Sequence, residues 1–348
     1  MNTSSLLKNG ISYITAKRYE FIHAAQAKKS LRLIEQTKGR TDPKLFKMCR
    51  DYSIDVFGNS KYAPWLKVYT AFNRNFKEGW IPDNYYRTIV IPKIQGDFGK
   101  ISNLKFFTNT FFNTQNFPDL VYHINGKWLT VEGEILPIEK VARYLFNSNT
   151  KVLFKQDNSM QGLGIQVFEK ETINHTTLMG LGNGVFQYFI EQHPFFSEYV
   201  EDSVATLRIT TTVNSLGKPK VNDAYLRFGM KGESFVAAGS QLKVSVNSIG
   251  ELSDLGYLNG WQAVKEHPNS KLDFGGKTVP TFNKATDLCM QLHQSYPQID
   301  CIGWDVGIDK NNEVKILEWN GYHNDIKFSE ATNGPCFIEQ GWEKLWKA

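Results

Sequence analysis

Near the end of the chain, Gly303-Trp304-Asp305 precedes Glu318-Trp319-Asn320 by twelve intervening residues. CIGWDVGID and EVKILEWN read as two strands joined by the turn Lys310-Asn311-Asn312. Residues two apart on a strand share a face, so Glu318 and Asn320 point the same way. A hairpin can set Asp305 on that face from the neighbouring strand. Two carboxylates and one amide then converge as oxygen donors, and a hard cation such as Mg²⁺ with phosphate oxygens suits such a set. Val314 and Ile316 supply the apolar neighbours that Glu318 interrupts. A surface hairpin with ordinary polar residues has the same spacing.

A second group begins at Lys155 and continues through the turn Asp157-Asn158-Ser159-Met160-Gln161-Gly162-Leu163-Gly164. A strand lysine followed by a small-residue turn can bring an ammonium and backbone N–H groups to phosphate. No Gly-Lys-Ser/Thr follows, and Val167 stands where a third glycine of GxGxxG belongs, so neither common phosphate loop is present. Arg208 in TLRIT and Arg227 in AYLRFG lie in apolar strand contexts and need anionic partners. Those partners can be structural carboxylates, or a phosphate or substrate carboxylate gripped in two-pronged fashion. Lys105 in ISNLKFF is of the same kind. His193 and His323 lie beside these motifs without forming a metal cluster. No GxSxG or nucleophile–histidine order appears.

The elements that must position these residues change in texture along the chain. Residues 11–80 read mostly as helix. One stretch runs from Ala16 to a stop at Gly39, and another from Pro64 to Lys77. TIVIPKI at 88–94 reads as a short strand. DLVYHINGKWLT at 119–130 reads as a hairpin about Asn125-Gly126. Pro137 opens a helix with Ile138, Val141, Ala142 and Leu145 on one face. From 151 the chain turns to strands: VLFKQD, GIQVFEK, VFQYFIEQ, ATLRITTTV, KVNDAYLRF and SFVAAGSQLKVSV. A single helix at about 282–296 interrupts them. The order gives an α+β fold with a helical N-terminal part and mixed or antiparallel sheets behind it.

Composition narrows the class. With 348 residues, 41% hydrophobic and 22% charged, the chain reads as a globular protein large enough for two or three subdomains. No apolar run reaches membrane-helix length, and the N-terminus makes a poor signal peptide, so a cytoplasmic protein is expected. Cys49, Cys289, Cys301 and Cys336 are scattered and read as reduced thiols. Residues 1–50 hold eleven Lys/Arg and three Asp/Glu, or +8, against +5 for the whole chain. That basic segment can be a solvated helical face. It can also meet an anionic membrane or a polyanionic polysaccharide. Nucleic acid is the weakest reading, since no zinc-finger spacing or RNA-binding aromatic signature accompanies the charge.

Taken in order, ISNLK, LFKQDNSMQGLGI, FQYFIEQHP, ATLRITT, NDAYLRFG and IGWDVGID with ILEWNG resemble the ATP-grasp superfamily, and within it the sugar-transfer-associated family. The resemblance implies an ATP-grasp fold in which two α+β subdomains sandwich ATP behind a helical region. The implied segments are 1–100, a lid subdomain 101–186, and a C-terminal subdomain 187–348 with the metal site. It places Lys105 and Lys155 on ATP and makes Ser159 to Gly164, including Gln161 and Gly162, a loop over the phosphates. It makes Gln187, Tyr188 and Phe189 the adenine hinge, with Glu191 or His193 near the ribose. Arg208 and Arg227 would serve the transferred phosphate or the activated carboxylate, and Asp305, Glu318 and Asn320 would hold Mg²⁺. The implied reaction is ATP-dependent joining of a carboxylate, such as a uronic acid of a glycan or cell-surface precursor, to an amine through an acyl-phosphate. A kinase using the same cradle and a non-catalytic nucleotide-binding module are the alternatives. Two positions depart from the family: Gln187 stands where many members carry an acid, and Phe235 to Ser240 replaces an Asp-Asn and paired glycines.

Overall fold

The computed structural model describes residues 3–159, 164–236, 239–322 and 324–347, with side chains from Lys17 onward. The chain forms two compact units. One comprises residues 1–93, 260–262 and 325–348, and the other 94–259 and 263–324. The segments read from sequence end at 100 and 186 instead; the structure returns 325–348 to the helical unit.

The helical unit is built on α1 (Thr3–Lys38), α2 (Pro43–Phe57) and α3 (Ala63–Asn73). Helix α1 buries His23, Ala27 and Ile34, spaced by four and seven residues, and ends before Gly39. Helix α2 starts at Asp42, whose side chain accepts from the Lys44 N–H at 2.8 Å, and stops at Gly58 with φ 72°. A Cβ at Gly58 would also meet the Trp346 ring at 2.7 Å. Helix α3 is buried on most sides by Trp65, Leu66, Val68, Tyr69, Ala71 and Phe72. It stops at Arg74 rather than Lys77. TIVIPKI is helical, not a strand: residues 86–94 form one winding stretch that buries Tyr86, Val90 and Ile91. Tertiary burial overrides the β preference of its branched residues. No helix among the described residues is long and apolar enough to cross a membrane.

The second unit holds two antiparallel sheets. The first, ordered β2-β1-β5-β3-β4, contains β1 (Asp119–Ile124), β2 (Lys127–Thr130), β3 (Lys151–Gln156), β4 (Ile165–Glu169) and β5 (Gly184–Tyr188). The expected hairpin forms about Asn125 and Gly126, both at positive φ. Helix α4 (Ile138–Leu145) follows Pro137 as expected and packs Val141 and Leu145 against Val152, Phe154 and Phe186.

The second sheet, ordered β10-β9-β8-β7-β6-β11-β12, contains β6 (Thr206–Val213), β7 (Pro219–Phe228), β8 (Leu242–Val246), β9 (Leu252–Tyr257), β10 (Ala263–Val264), β11 (Cys301–Ile308) and β12 (Val314–Asn320). Among the described residues of SFVAAGSQLKVSV, only Leu242–Val246 is strand. In this sheet β6 and β11 are wholly buried. Leu207, Ile209, Leu226, Val244, Ile302, Trp304 and Val306 form one apolar face. This face packs on α5 (Phe282–Gln294) through Ala285, Cys289 and Leu292. The alternate residues form the opposite, polar face, which carries the site. The architecture is the α+β arrangement expected, with helices first and antiparallel sheets behind.

Candidate nucleotide and metal site

Strand register brings the C-terminal set together. Asp305 on β11 pairs directly with Glu318 on β12, and Gly303 pairs with Asn320. Asp305 also pairs with Arg208 on β6, across from Tyr225 on β7. Asp305, Glu318, Asn320 and Arg208 therefore share one face, as the two-residue period requires.

The charges on that face are interlocked. Arg208 Nε donates to Asp305 Oδ1 at 2.6 Å and Nη2 to Oδ2 at 3.2 Å. Arg227 Nη2 stands 2.5 Å from the same Oδ1. Burial works against ionising Asp305. The two guanidinium charges and their hydrogen bonds outweigh it and hold the carboxyl well below the usual carboxylate range. Arg208 is fixed at a third point, where Nη1 donates to Asn324 Oδ1 at 2.9 Å. Asn324 is fully buried and donates in turn to Thr210 Oγ1 at 3.2 Å. Gly303 makes room for this contact: a Cβ there would lie 2.1 Å from Asn324 Oδ1. Arg227 Nε is buried without a hydrogen bond among the described residues.

Beside this network lies a cleft of ≈ 290 Å³. Lys105 and Lys155 line it, with Asp119, Val185, Gln187, Leu317 and Glu318. Lys105 is held twice. Its N–H donates to Asp157 Oδ1 at 2.7 Å, and its Nζ reaches Glu318 Oε1 at 3.0 Å. Lys155 is buried and donates to the Leu317 carbonyl at 2.7 Å. Burial lowers its pKa, opposed by the nearby carboxylates of Glu318, Asp305 and Asp119 and assisted by Lys105.

The Leu317 carbonyl is available because of an irregularity. The β11–β12 register shifts between Asp305 and Val306, so Leu317 is the extra residue of a bulge. Its carbonyl also accepts from Gln187 Nε2 at 3.4 Å. Gln187 donates to Asp119 Oδ1 at 2.8 Å, and its own Oε1 is buried with no hydrogen-bond partner among the described residues. Asp119 accepts further from Thr108 and from Tyr122, the latter at 2.9 Å. Burial raises the Asp119 pKa against these donors.

Other residues singled out in the sequence take different places. Ser159 is exposed, its Oγ donating to Gln156 O at 2.6 Å. A Cβ at Gly164 would crowd Ser159 at 2.4 Å. Gln161 and Gly162 lie outside the described residues, as do Met160, Leu163, Ala237, Ala238 and His323. Tyr188 and Phe189 follow Gln187, but their N–H groups donate to Pro118 O at 2.9 Å and Lys151 O at 3.4 Å. Glu191 is exposed and paired with Lys310 at 2.6 Å. His193 starts the short helix Pro194–Ser197, its Nδ1 accepting from the Phe195 N–H at 3.1 Å. Neither Glu191 nor His193 lines the cleft. Sequence reading missed Asp119, Asn324 and the Leu317 carbonyl. An acid opening the apolar strand DLVYHI was the only available signal for the first.

The donor types suit Mg²⁺. Asp305 and Glu318 carry carboxylate oxygens on one face, where Arg208 and Arg227 take both Asp305 oxygens and Lys105 takes Glu318 Oε1. Asn320 commits its Nδ2 to Gly303 O at 3.2 Å and keeps its Oδ1 as an acceptor. Among the described residues no group of three or more His, Cys, Asp or Glu side chains is placed to hold a metal. The candidate set thus rests on two carboxylates and an amide.

Residues 172–341 match the family of sugar-transfer associated ATP-grasp proteins, which bears out the resemblance read from the sequence over that part of the chain. No protein of curated function matches. Solved structures with detectable likeness include a biotin carboxylase complex from Campylobacter jejuni: 13% identity, TM-score 0.41, covering 73% of this chain and 46% of that one. Another is N5-carboxyaminoimidazole ribonucleotide synthetase from Thermotoga maritima: 9% identity, TM-score 0.38, covering 75% and 56%. A third is the D-alanine-D-alanine ligase of Coxiella burnetii: 12% identity, TM-score 0.36, covering 73% and 57%. The chain spans about half the length of these structures.

Proposed function

Taking residues 172–341 as a sugar-transfer associated ATP-grasp segment, we propose that the protein is an ATP- and Mg²⁺-dependent ligase joining a carboxylate to an amine, with ADP and phosphate as by-products. The observation that carries this reading is the single sheet face on which Arg208, Arg227, Asp305 and Glu318 meet, beside a cleft lined by Lys105 and Lys155. Phosphoryl transfer needs charge neutralisation and positioning rather than a covalent nucleophile, and these residues supply both.

The cleft would take the base, and the adjoining sheet face the phosphates. The base belongs against Val185 and Gln187, where the buried Gln187 Oε1, which has no hydrogen-bond partner among the described residues, can accept from an exocyclic amino group. Lys105 and Lys155 then face the phosphates. Arg208, held at three points, keeps a fixed orientation. Arg227, with its Nε uncommitted, can turn a second donor to the γ-phosphate or to the activated carboxylate. Asp305, Glu318 and Asn320 would hold Mg²⁺, which when bound neutralises phosphate charge. The carboxylate is best sought among uronic acids of glycans or cell-surface precursors, in keeping with the family's association with sugar transfer.

The test is mass spectrometry of ATP-dependent products from uronic acids offered with amino acids or other amines. An amide together with free phosphate supports the proposal. A phosphate ester without free phosphate replaces it with a kinase. Calorimetry showing no Mg²⁺-dependent ATP binding removes both and leaves a module without this chemistry.

A further inference from the structure

The solvent face of α1 is chemically one-sided. Between 17 and 32 the exposed residues include Arg18, Lys28, Lys29 and Arg32 and no acid. The one acid in this stretch, Glu20, is half-buried and paired with Lys61 at 2.8 Å. The buried residues His23 and Ala27 fix the inward direction. At 100° per residue, Arg18, Ala25, Lys29 and Arg32 project opposite to them. Two large apolar side chains stand among these cations: Phe21 is 75% exposed and Ile22 42%. Water is a poor solvent for such an exposed pair, and a polyanion in solution offers it little.

We propose that this face docks on an anionic lipid surface. The cations meet phosphate headgroups, while Phe21 and Ile22 enter the boundary between headgroups and acyl chains. Charge complementarity selects the occupant. A second copy of the same face would set four cations against four, and a soluble glycan or nucleic acid would leave the apolar pair without a role. The inference is independent of the chemistry at the sheet face. It places the enzyme where a lipid-linked acceptor would be presented.

The full chain is tested by co-sedimentation with vesicles of phosphatidylcholine alone or with about a third phosphatidylglycerol, at low and high salt. Binding is expected only to the anionic vesicles and is weakened by salt. An R18E/R32E double variant should bind them at least about tenfold more weakly, since each basic residue near the surface contributes about fivefold. Phe21→Ser with Ile22→Ser should leave only binding that salt abolishes. Circular dichroism confirms the fold of each variant. Equal binding to neutral vesicles, or full binding by the charge-reversed variant, overturns the proposal. So does capture by soluble polygalacturonate without any vesicle binding, which would make the face a glycan site.

Discussion

Asp305 and Glu318 face each other across β11 and β12, yet they carry different loads. Asp305 is the shared partner of two guanidinium groups in a buried setting. Removing its charge leaves Arg208 and Arg227 facing each other without compensation. Asp305→Asn is therefore expected to lose about 3–5 kcal/mol of stability as well as turnover, read by denaturant unfolding and product formation. Glu318 pairs once, with Lys105, and its side chain is 31% exposed. Glu318→Gln should cost about 0–1 kcal/mol and still abolish turnover. If both variants are equally stable, the Arg208–Asp305–Arg227 network is not holding the sheet face. Lys155 supplies a pH test. Burial lowers its pKa, so it sheds its proton at lower pH than an exposed lysine. Nucleotide affinity should then decline with rising pH before ordinary lysines titrate, and Lys155→Met should be weak throughout and lack that decline. Calorimetric titration across alkaline pH decides between these outcomes.

The elements explain which parts of this were readable in advance. Strand period alone puts Asp305, Glu318 and Asn320 on one face, and the register agrees. The only mark of the bulge at Leu317 is a change in the spacing of apolar positions from two to three, Val314 and Ile316 then Trp319, which a strict two-residue period passes over. That bulge turns out the carbonyl shared by Lys155 and Gln187. Asp119 and Asn324 were hidden for a different reason. Their partners, Gln187 and Arg208, are 68 and 116 residues away, and no local pattern encodes such pairings. TIVIPKI failed because burial of Tyr86, Val90 and Ile91 outweighed intrinsic strand preference. The bulge carries its own prediction. Deleting Leu317 would restore an unbroken ladder with the remaining pairs on their present faces and remove the carbonyl that Lys155 and Gln187 share. Nucleotide binding should vanish by calorimetry, while Leu317→Ala, which keeps the carbonyl, should retain it within about tenfold. A deletion variant that still binds ATP would remove the bulge from the site.

At the scale of the whole molecule, each compact unit is tied together by one buried aspartate among cations. In the helical unit Asp83 is fully buried, 3.4 Å from His23 Nδ1, 3.1 Å from Arg87 Nε and 4.0 Å from Lys327 Nζ. These groups come from α1, from the winding segment after Asp83, and from the helix Lys327–Thr332, so one carboxylate joins three distant parts of the chain. Burial disfavours its charge, but Lys327, Arg87 and the nearby His23 ring prevail and lower its pKa. Asp305 in the sheet unit is lowered in the same sense. A carboxyl whose folded pKa lies below its unfolded value stabilises fully above the unfolded value, about 4, and loses that contribution as pH falls toward the folded one. Asp119 runs the other way: its raised pKa means that protonation on acidification favours the folded state. The sheet unit therefore carries opposing slopes, whereas in the helical unit the Asp83 slope acts without such an opponent among the shifted carboxyls described. Acid should destabilise the helical unit below about pH 4. Asp83→Asn should lower stability at neutral pH by about 3 kcal/mol and flatten the fall between pH 5 and 3, since the titrating group is gone. Denaturant unfolding followed by tryptophan fluorescence at a series of pH values measures both quantities. Trp65 and Trp80 report from within the helical unit and Trp304 and Trp319 from the sheet unit. An unchanged pH slope in the Asp83 variant would assign the acid sensitivity to other groups.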